Sequence, residues 1–188
     1  PGNNEQQFTV VVNTSQNRIP LRENFDNEFT DEWTTVNPEG GMNWQTTATN
    51  YNRSMYFNAH NNTVIGDEAW LVSPVLDFSR TTNASLVYDR SYRSRPDREE
   101  NFKIYVSRDC GNTYDELSEP QLHFPEQVSA WAPNTEEHWE KNITINLSAY
   151  AGEDDVRVAF VVTNGNGNNL FLDNVEFFTT AFPDPIEI

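Results

Sequence analysis

The chain has 188 residues, with 12 lysines and arginines against 29 aspartates and glutamates, which gives a formal net charge of −17. A surface this acidic repels nucleic-acid phosphates and anionic lipids, and it attracts cations, Ca²⁺ above all, because carboxylate and amide oxygens suit a hard cation. Hydrophobic residues make up 36% of the chain and aromatic residues 13%, a content of aromatic residues that a disordered acidic chain would lack. The composition therefore predicts a single folded domain whose core contains few but large side chains.

The sequence predicts neither a membrane-spanning helix nor a disulfide bond. No segment approaches 18 consecutive apolar residues, so no membrane-spanning helix is predicted. The chain begins at Pro1 without a signal-peptide pattern, and we expect a processed protein or a fragment of a longer one. Cys110 is the only cysteine, which excludes a disulfide framework and a cysteine metal site and leaves the cellular compartment open.

Short runs in which apolar and polar residues alternate predict β-strands along most of the chain. The runs cover residues 8–12, 69–72, 84–88, 102–106, 143–147, 156–162 and 170–178. Clusters of Asn, Asp, Gly and Ser separate them, as at residues 109–112 and 164–168, and one helical turn is predicted at residues 147–150. Seven or more short strands with turns between them predict an antiparallel β-sandwich.

Both ends of the chain are predicted to be joints in a modular protein. Residues 1–18 are expected to form a linker or a strand of an upstream region, with residues 8–12 as an extra edge strand in the alternative case. Residues 19–180 are the predicted sandwich. Residues 181–188 are expected to be an exit linker, because Pro183 and Pro185 cannot continue a β-ladder.

The common catalytic motifs are absent from the sequence, which has no Gly-rich phosphate loop, no G-x-S-x-G motif and no H-E-x-x-H motif. His60, His123 and His138 lie far apart in polar contexts and are predicted to be surface residues; the alternative is a catalytic pair of Cys110 with His60 or His138. A hydrolase with dispersed carboxylates is a further alternative, since 29 acidic residues form pairs by chance. The sequence favours a protein that is not an enzyme.

Two acidic segments predict a cation site. The first runs from Glu23 and includes Asp26, where oxygen-bearing side chains surround a single aromatic residue. In the second, the last predicted strand, strict alternation places Asp173 on an otherwise apolar face with Phe171, Val175 and Phe177. A charge on such a face is costly unless it is paired, hydrogen-bonded or bound to a metal. Because the first and last strands of a jelly roll commonly lie together, we expect Asp173 to meet Glu23 or Asp26 around Ca²⁺; the alternative is that Asp173 accepts backbone N–H bonds.

Aromatic and amide side chains in polar segments are the candidate ligand-binding residues, namely Trp131, Trp139, Tyr92 and Asn134. A solvent-facing Trp or Tyr stacks on sugar rings, and amides bond to sugar hydroxyls. The alternative is that these aromatic residues supply a core that is short of Leu and Ile. Residues 89–98 contain four arginines and form either a docking site for an acidic partner or a network of surface ion pairs.

Ordered motifs in the sequence resemble the MAM-like jelly-roll family. They are NFD at residues 24–26, GDEAWLVSPVLD at 66–77 and FLDNV at 171–175, in the order in which that family has an FE opening, an A-x-L-x-S-P strand and an L-D-D-I closing strand. The segments LVSPVLDFS at 71–79 and VSRDCGNT at 106–113 are more similar to a branch in secreted Bacteroidetes proteins, as in the cleaved-adhesin domains of gingipains and the C-terminal regions of cytophagalysin-type metallopeptidases. The resemblance covers about residues 19–178.

The resemblance implies a secreted or cell-surface jelly roll of galactose-binding-like architecture that is not catalytic and often bears calcium. Carried onto matching positions, it implies metal ligands at Asp26, Asp67 and Asp173, to which local chemistry adds Glu23. It also implies that Cys110 is a turn residue. The leading expectation is a Ca²⁺-stabilised accessory module that binds polysaccharide or a glycoprotein. The alternative is a structural or protein-interaction domain that packs against a neighbouring, peptidase-like domain in the same polypeptide and binds no small ligand.

Overall fold

Two antiparallel sheets face each other across an aromatic core in the computed structural model, which describes residues 16–27, 32–122 and 125–181. The antiparallel β-sandwich predicted from the sequence is confirmed. Short 3₁₀ turns occur at Ala59–Asn61, Glu136–His138 and Ser148–Tyr150, and the last of these confirms the predicted turn. Within the described ranges, no helix is long and apolar enough to cross a membrane.

The first sheet has five strands. In spatial order they are β10 (Asp115–Ser118), β9 (Asn101–Ser107), β12 (Arg157–Thr163), β6 (Glu68–Val72) and β3 (Thr34–Val36).

The second sheet has six strands. In spatial order they are β11 (Glu140–Asn146), β8 (Thr81–Ser91), β13 (Leu170–Ala181), β5 (Arg53–Phe57) and β4 (Gln45–Ala48), with β2 (Leu21–Glu23) pairing β13 beside them. The pairing of β2 with β13 brings an early strand next to the last one, as expected for a jelly roll.

Six of the predicted runs correspond to β6, β8, β9, β11, β12 and β13. The run at residues 8–12 lies outside the described residues. The shorter strands were not predicted, because they have three to five residues with few apolar side chains and too little alternation to detect. Their pairing depends on neighbouring strands rather than on their own sequence.

Large aromatic side chains join the two sheets, as the composition predicted. Trp33 lies between Phe160 of β12 and Phe177 of β13, with ring centroids 6.5 Å from each. Tyr88 of β8 meets Phe160 edge-on at 5.4 Å. All four rings are buried. Full burial of one such side chain contributes about 1.5–3 kcal/mol, so a few rings supply much of the driving force for folding.

The Asn-rich connection between β12 and β13, residues 164–169, ties three loops together. The Asn164 Nδ2 atom donates to the carbonyl of Asn62 at 3.0 Å, and that of Asn168 donates to the carbonyl of Gln127 at 3.0 Å. The Glu100 carboxylate accepts backbone N–H bonds from Gly167 at 2.6 Å and Asn168 at 3.1 Å. Burial raises the pKa of Glu100 above its usual value. This segment is therefore a buried structural connection and not only a turn.

The ends of the described chain are both paired. Residues 16–18 form β1 (Gln16–Arg18), which pairs in parallel with β7 (Val75–Asp77), and β13 continues to Ala181. Most of the predicted linkers, at 1–18 and 181–188, lie outside the described residues. The domain boundaries stay predictions.

Candidate functional site

A β-bulge in β13 changes which side of the strand faces the core. Asn174 has a φ of 49°, and the register of β13 against β8 shifts next to Asp173. Leu172 before the bulge and Val175 after it both pack in the main core, whereas Phe171 belongs to a separate cluster on the other side of the sheet. The prediction that Asp173 shares a face with Val175 is wrong, because the extra residue reverses the alternation. Asp173 lies on the outer face of the six-stranded sheet.

Asp173 stands directly opposite Asp89 of β8 in the antiparallel ladder. Asp173 Oδ1 accepts the Asn174 N–H at 2.7 Å, and its other oxygen accepts a bond from Asn52 Nδ2. Asp89 accepts the N–H of Asn142 at 2.8 Å and the Asn174 side-chain amide at 2.8 Å. Like charges directly opposite each other destabilise a sheet, so this pair favours a proton or a cation between its members.

The protonation of Asp173 reflects these surroundings. The pKa of Asp173 is raised from 3.8 to about 7. Burial is the main cause and the charges of Asp26 and Asp89 add to it, whereas the hydrogen bonds from Asn174 and Asn52 lower this pKa. The side chain is 4% exposed. A carboxylate that is so costly to ionise gains from any bound cation.

Asp26 and Asp173 line one cavity on this face, together with Asp89, and we call it the acidic cavity. Its volume is about 330 Å³, and its lining consists of Asp26, Tyr51, Asn52, Asp89, Trp139, Lys141, Asp173 and Asn174. Trp139 is 8% exposed and Tyr51 41% exposed, so the cavity combines hard oxygen atoms with aromatic walls. Asp26, one of the two residues expected to lie near Asp173, lines the same cavity as Asp173.

The donor set of the acidic cavity fits Ca²⁺ by chemistry. In the described part of the chain, no three carboxylate, imidazole or thiol groups lie close enough together to hold a metal by themselves. An ion here would therefore need amide or backbone oxygens as well, which Ca²⁺ accepts readily. Each oxygen of Asp89 and Asp173 accepts one hydrogen bond and keeps a further lone-pair direction for such an ion.

Asp67 and Glu23 are placed differently. Asp67 is buried and accepts bonds from the side chains of Asn37 at 2.8 Å and Asn62 at 3.0 Å, and from the Met42 N–H at 3.2 Å. The structure does not bring it to the acidic cavity, and its contacts explain a buried carboxylate without a metal. Glu23 Oε1 accepts the Phe25 N–H at 2.8 Å, and Glu23 lines an adjoining cavity of about 420 Å³.

Of the four predicted ligand-binding residues, Trp139 lines the acidic cavity and Asn134 is exposed, with its N–H donated to His138 Nδ1 at 3.2 Å. Trp131 is 6% exposed, and its Nε1 donates to Ser91 Oγ at 3.0 Å. Tyr92 is fully buried, and its hydroxyl donates to Glu100 at 2.5 Å. Neither Trp131 nor Tyr92 faces solvent, because Tyr92 belongs to the main core and Trp131 packs in a separate cluster with Trp139 and Phe171. For these two residues the alternative, that they supply a core, is the one that the structure shows.

The arginine-rich segment and Cys110, two other candidates from the sequence, make contacts within the domain. In the arginine-rich segment, Arg90 pairs with Glu140 at 2.6 Å, and Arg95 donates to the Asn166 carbonyl at 3.4 Å. Cys110 has a φ of 64°, as a turn residue, and its thiol donates to Asp155. The thiol therefore contacts a carboxylate and not a histidine.

Sequence reasoning did not single out Asp89, Asn52, Asn174 or Tyr51 as site residues. Asp89 was noted only as part of the arginine-rich segment 89–98. It directly follows the predicted strand 84–88, and continuing the alternation of that strand by one residue places Asp89 on the same outward face as Val87. Asn52 and Tyr51 lie on the β4–β5 turn, which no periodic pattern marks. Their convergence depends on strand order.

Several solved structures have a fold similar to that of this chain. The K1 and K3 cleaved adhesin domains of Lys-gingipain from Porphyromonas gingivalis W83 match with TM-scores of 0.62 and 0.61 and sequence identities of 21% and 22%. The matches cover 86% and 85% of this chain and 98% of each domain. The C-terminal family 22 carbohydrate-binding module of Clostridium thermocellum Xyn10B matches with a TM-score of 0.50 and 14% identity over 85% of this chain and 92% of the module.

No protein-family model and no curated protein matches the sequence. At identities below 25%, the structural matches establish the fold. The resemblance predicted from the ordered motifs is confirmed at that level: the chain has the β-sandwich fold of the gingipain cleaved adhesin domains.

Proposed function

We propose that this protein is a non-catalytic, secreted or cell-surface module that binds a polysaccharide or the glycans of a glycoprotein, with Ca²⁺ bound in the acidic cavity. One observation carries the proposal. Asp26, Asp89 and Asp173 converge in an open cavity that also contains the side chains of Trp139 and Tyr51. The similarity of the fold to cleaved adhesin domains and to a carbohydrate-binding module is consistent with it.

The chemistry of the cavity suits a sugar. A pyranose ring has an apolar face that packs on an aromatic side chain and a rim of hydroxyls that needs donors and acceptors. Tyr51 is exposed enough to offer its ring, and Asn52, Asn174 and Lys141 supply polar groups around it. In this proposal the site binds its ligand without changing it.

In this proposal Asp173 and Asp89 hold the ion, and Asp26 contributes from the turn after β2. Bound Ca²⁺ would supply positive charge between carboxylates that otherwise repel one another. It would also join the β2 turn to β8 and β13, and so fix the cavity walls.

A binding panel tests this proposal. Neutral and acidic polysaccharides and mucin-type glycoproteins are presented to the purified protein in matched Ca²⁺ and EDTA arms, and the supernatant is analysed for released sugars. We expect binding to one glycan class, weakened in EDTA and by Asp26→Asn, with no product formed. The matched control is Asp97→Asn, which alters another exposed aspartate away from the cavity. Binding to no glycan in either arm contradicts the proposal.

A second candidate function, protein interaction, is favoured by three exposed aliphatic residues. Val64, Ile65 and Val128 are 61%, 74% and 68% exposed. Their loops, residues 58–66 and 127–131, contain no lysine, arginine, aspartate or glutamate and are tied to the buried segment 164–169. If they pack on a neighbouring domain, hydrogen exchange of residues 62–66 should slow in a longer polypeptide that carries this module; unchanged exchange contradicts this alternative.

A further inference from the structure

We infer that the binding surface continues from the acidic cavity along β13 to Phe178, so that the protein binds an internal stretch of a linear, neutral polysaccharide and not a single terminal sugar. This inference rests on the proposed function and specifies the ligand class of the same site. It predicts that affinity increases with the length of the saccharide. Binding in the acidic cavity alone would not give such a dependence.

Two adjoining cavities supply the length. The acidic cavity has a volume of about 330 Å³, and the second, lined by Arg22, Glu23, Asn24, Asn174, Val175 and Glu176, has a volume of about 420 Å³. Asn174, the residue of the β-bulge, lines both. The bulge therefore lies where the two meet. We call the two cavities, together with Phe178 beyond them on β13, the trough.

The length of the trough follows from the register of β13 against β8. Asp173 stands opposite Asp89, and Phe178 stands opposite Ser85, on the outer face of the sheet. Asp89 and Ser85 are four residues apart on β8, which corresponds to about 14 Å at the rise of an extended strand. A single sugar ring is much shorter than this, whereas a linear saccharide of roughly three rings reaches from one row to the other.

The far end of the trough has the features of a sugar subsite. Phe178 is 40% exposed on a strand whose adjacent residue, Phe177, is completely buried. Its opposite residue is the small Ser85, which leaves the ring accessible above the sheet. Between Phe178 and the acidic cavity, Arg22 and Glu176 form an ion pair of 2.8 Å in which the arginine side chain is 74% exposed. That pair offers both a donor and an acceptor to sugar hydroxyls.

The charges along the trough select against acidic saccharides. Five carboxylates line it against two cationic side chains; they are Asp26, Asp89, Asp173, Glu23 and Glu176 against Arg22 and Lys141. One Ca²⁺ leaves this surface negative, and the whole chain carries a net charge of −17. Uronic or sulfated chains are therefore repelled, and a neutral chain is favoured.

The test uses graded neutral saccharides, namely the monomers, trimers and hexamers of the cello-, xylo-, manno- and galacto- series, titrated calorimetrically in Ca²⁺. In the series that binds, we expect the hexamer to bind at least tenfold more tightly than the monomer. Phe178→Ala should weaken hexamer binding by roughly fivefold to tenfold, the usual size of one aromatic contact, and leave monomer binding at the acidic cavity within about twofold. Val128→Ala, an exposed apolar residue on another loop, is the matched control.

Ser85→Arg provides a second variant, since it blocks the far end of the trough without removing a core side chain. Equal affinity for monomer and hexamer, or hexamer binding that is insensitive to both Phe178→Ala and Ser85→Arg, overturns the extended surface and leaves the proposed function standing. Tighter binding of a uronic-acid hexamer than of the neutral one overturns the choice of a neutral ligand. If no neutral series binds but a polysaccharide or glycoprotein of the binding panel does, this inference alone is overturned. If nothing binds in either experiment, the proposed function is overturned with it.

Discussion

Replacing Asp173 with asparagine tests whether the acidic cavity is arranged for a cation. The pKa of Asp173 is about 7 in the folded protein against an ordinary 3.8. The folded state therefore binds this proton more tightly than the unfolded state, and the free energy of unfolding falls as the pH rises between about 4 and 7. Above pH 7, the ionised Asp173 destabilises the metal-free protein by an amount that this shift places at up to about 4 kcal/mol.

Asparagine removes the charge and keeps the size of the side chain, and rotation of the Asn52 amide restores a hydrogen bond to it. In EDTA at pH 8 we therefore expect Asp173→Asn to be more stable than the wild-type protein, by as much as about 4 kcal/mol. A change of this size raises the melting temperature by roughly 8–16 °C for a domain of this length. Near pH 4, the difference should disappear, because the wild-type carboxyl is then protonated in the folded protein.

Calcium should narrow the difference in stability between the two proteins, because it stabilises the wild-type protein more than the variant. A bound ligand at one hundred times its dissociation constant stabilises the folded state by about 2.7 kcal/mol, and the variant should lose most of this gain. Thermal melts in EDTA and in Ca²⁺, at pH 4.5 and pH 8, check the prediction, with Asp97→Asn as the control. A variant that is less stable than the wild-type protein in EDTA at pH 8 would refute the electrostatic reasoning, and a wild-type melt insensitive to Ca²⁺ would refute the metal site.

Three further predictions concern residues outside the acidic cavity. Gly165→Ala should destabilise the protein by more than about 3 kcal/mol in urea unfolding, because the added Cβ would lie 1.8 Å from the Glu99 carbonyl oxygen. The control is Gly40→Ala, whose added Cβ would have no atom within 4 Å and which should cost only about 1 kcal/mol of backbone strain. Cys110 is exposed, but its hydrogen bond to Asp155 raises the pKa of the thiol, so Asp155→Asn should accelerate its reaction with a disulfide reagent at pH 8. Trp131→Ala should cost about 3–5 kcal/mol in the same unfolding assay; a loss of glycan binding without a loss of stability would contradict its structural role.

The β-strands could be predicted from the sequence wherever they are long and rich in apolar residues. The runs that became β8, β9, β12 and β13 lie in strands of seven or more residues, and aromatic side chains fill the core that their inward faces share. Local periodicity determines such elements, because a strand with one buried face must repeat every second residue. The sandwich class followed from these runs and the turns between them.

The outward position of Asp173 could not be read in the same way. One extra residue at Asn174 reverses the alternation, and a bulge has no dependable sequence signal when the residue is not glycine. The polar strands β2 to β4 were also undetectable, since they pair through contacts with β13, β6 and β5 and not through their own pattern.

The amino-acid sequence by itself determined the fold class and the acidic character of the protein, because these depend on composition and on the pattern of apolar residues along the chain. It also led to the expectation, from the usual strand order of a jelly roll, that Asp173 lies near Glu23 or Asp26. Only the tertiary structure decided that Asp89 joins them, that Asp67 is satisfied elsewhere, and that Tyr92 and Trp131 are buried. The physical reason is that a site is made where strands distant in sequence become neighbours in a sheet, and strand order and register are properties of the folded chain.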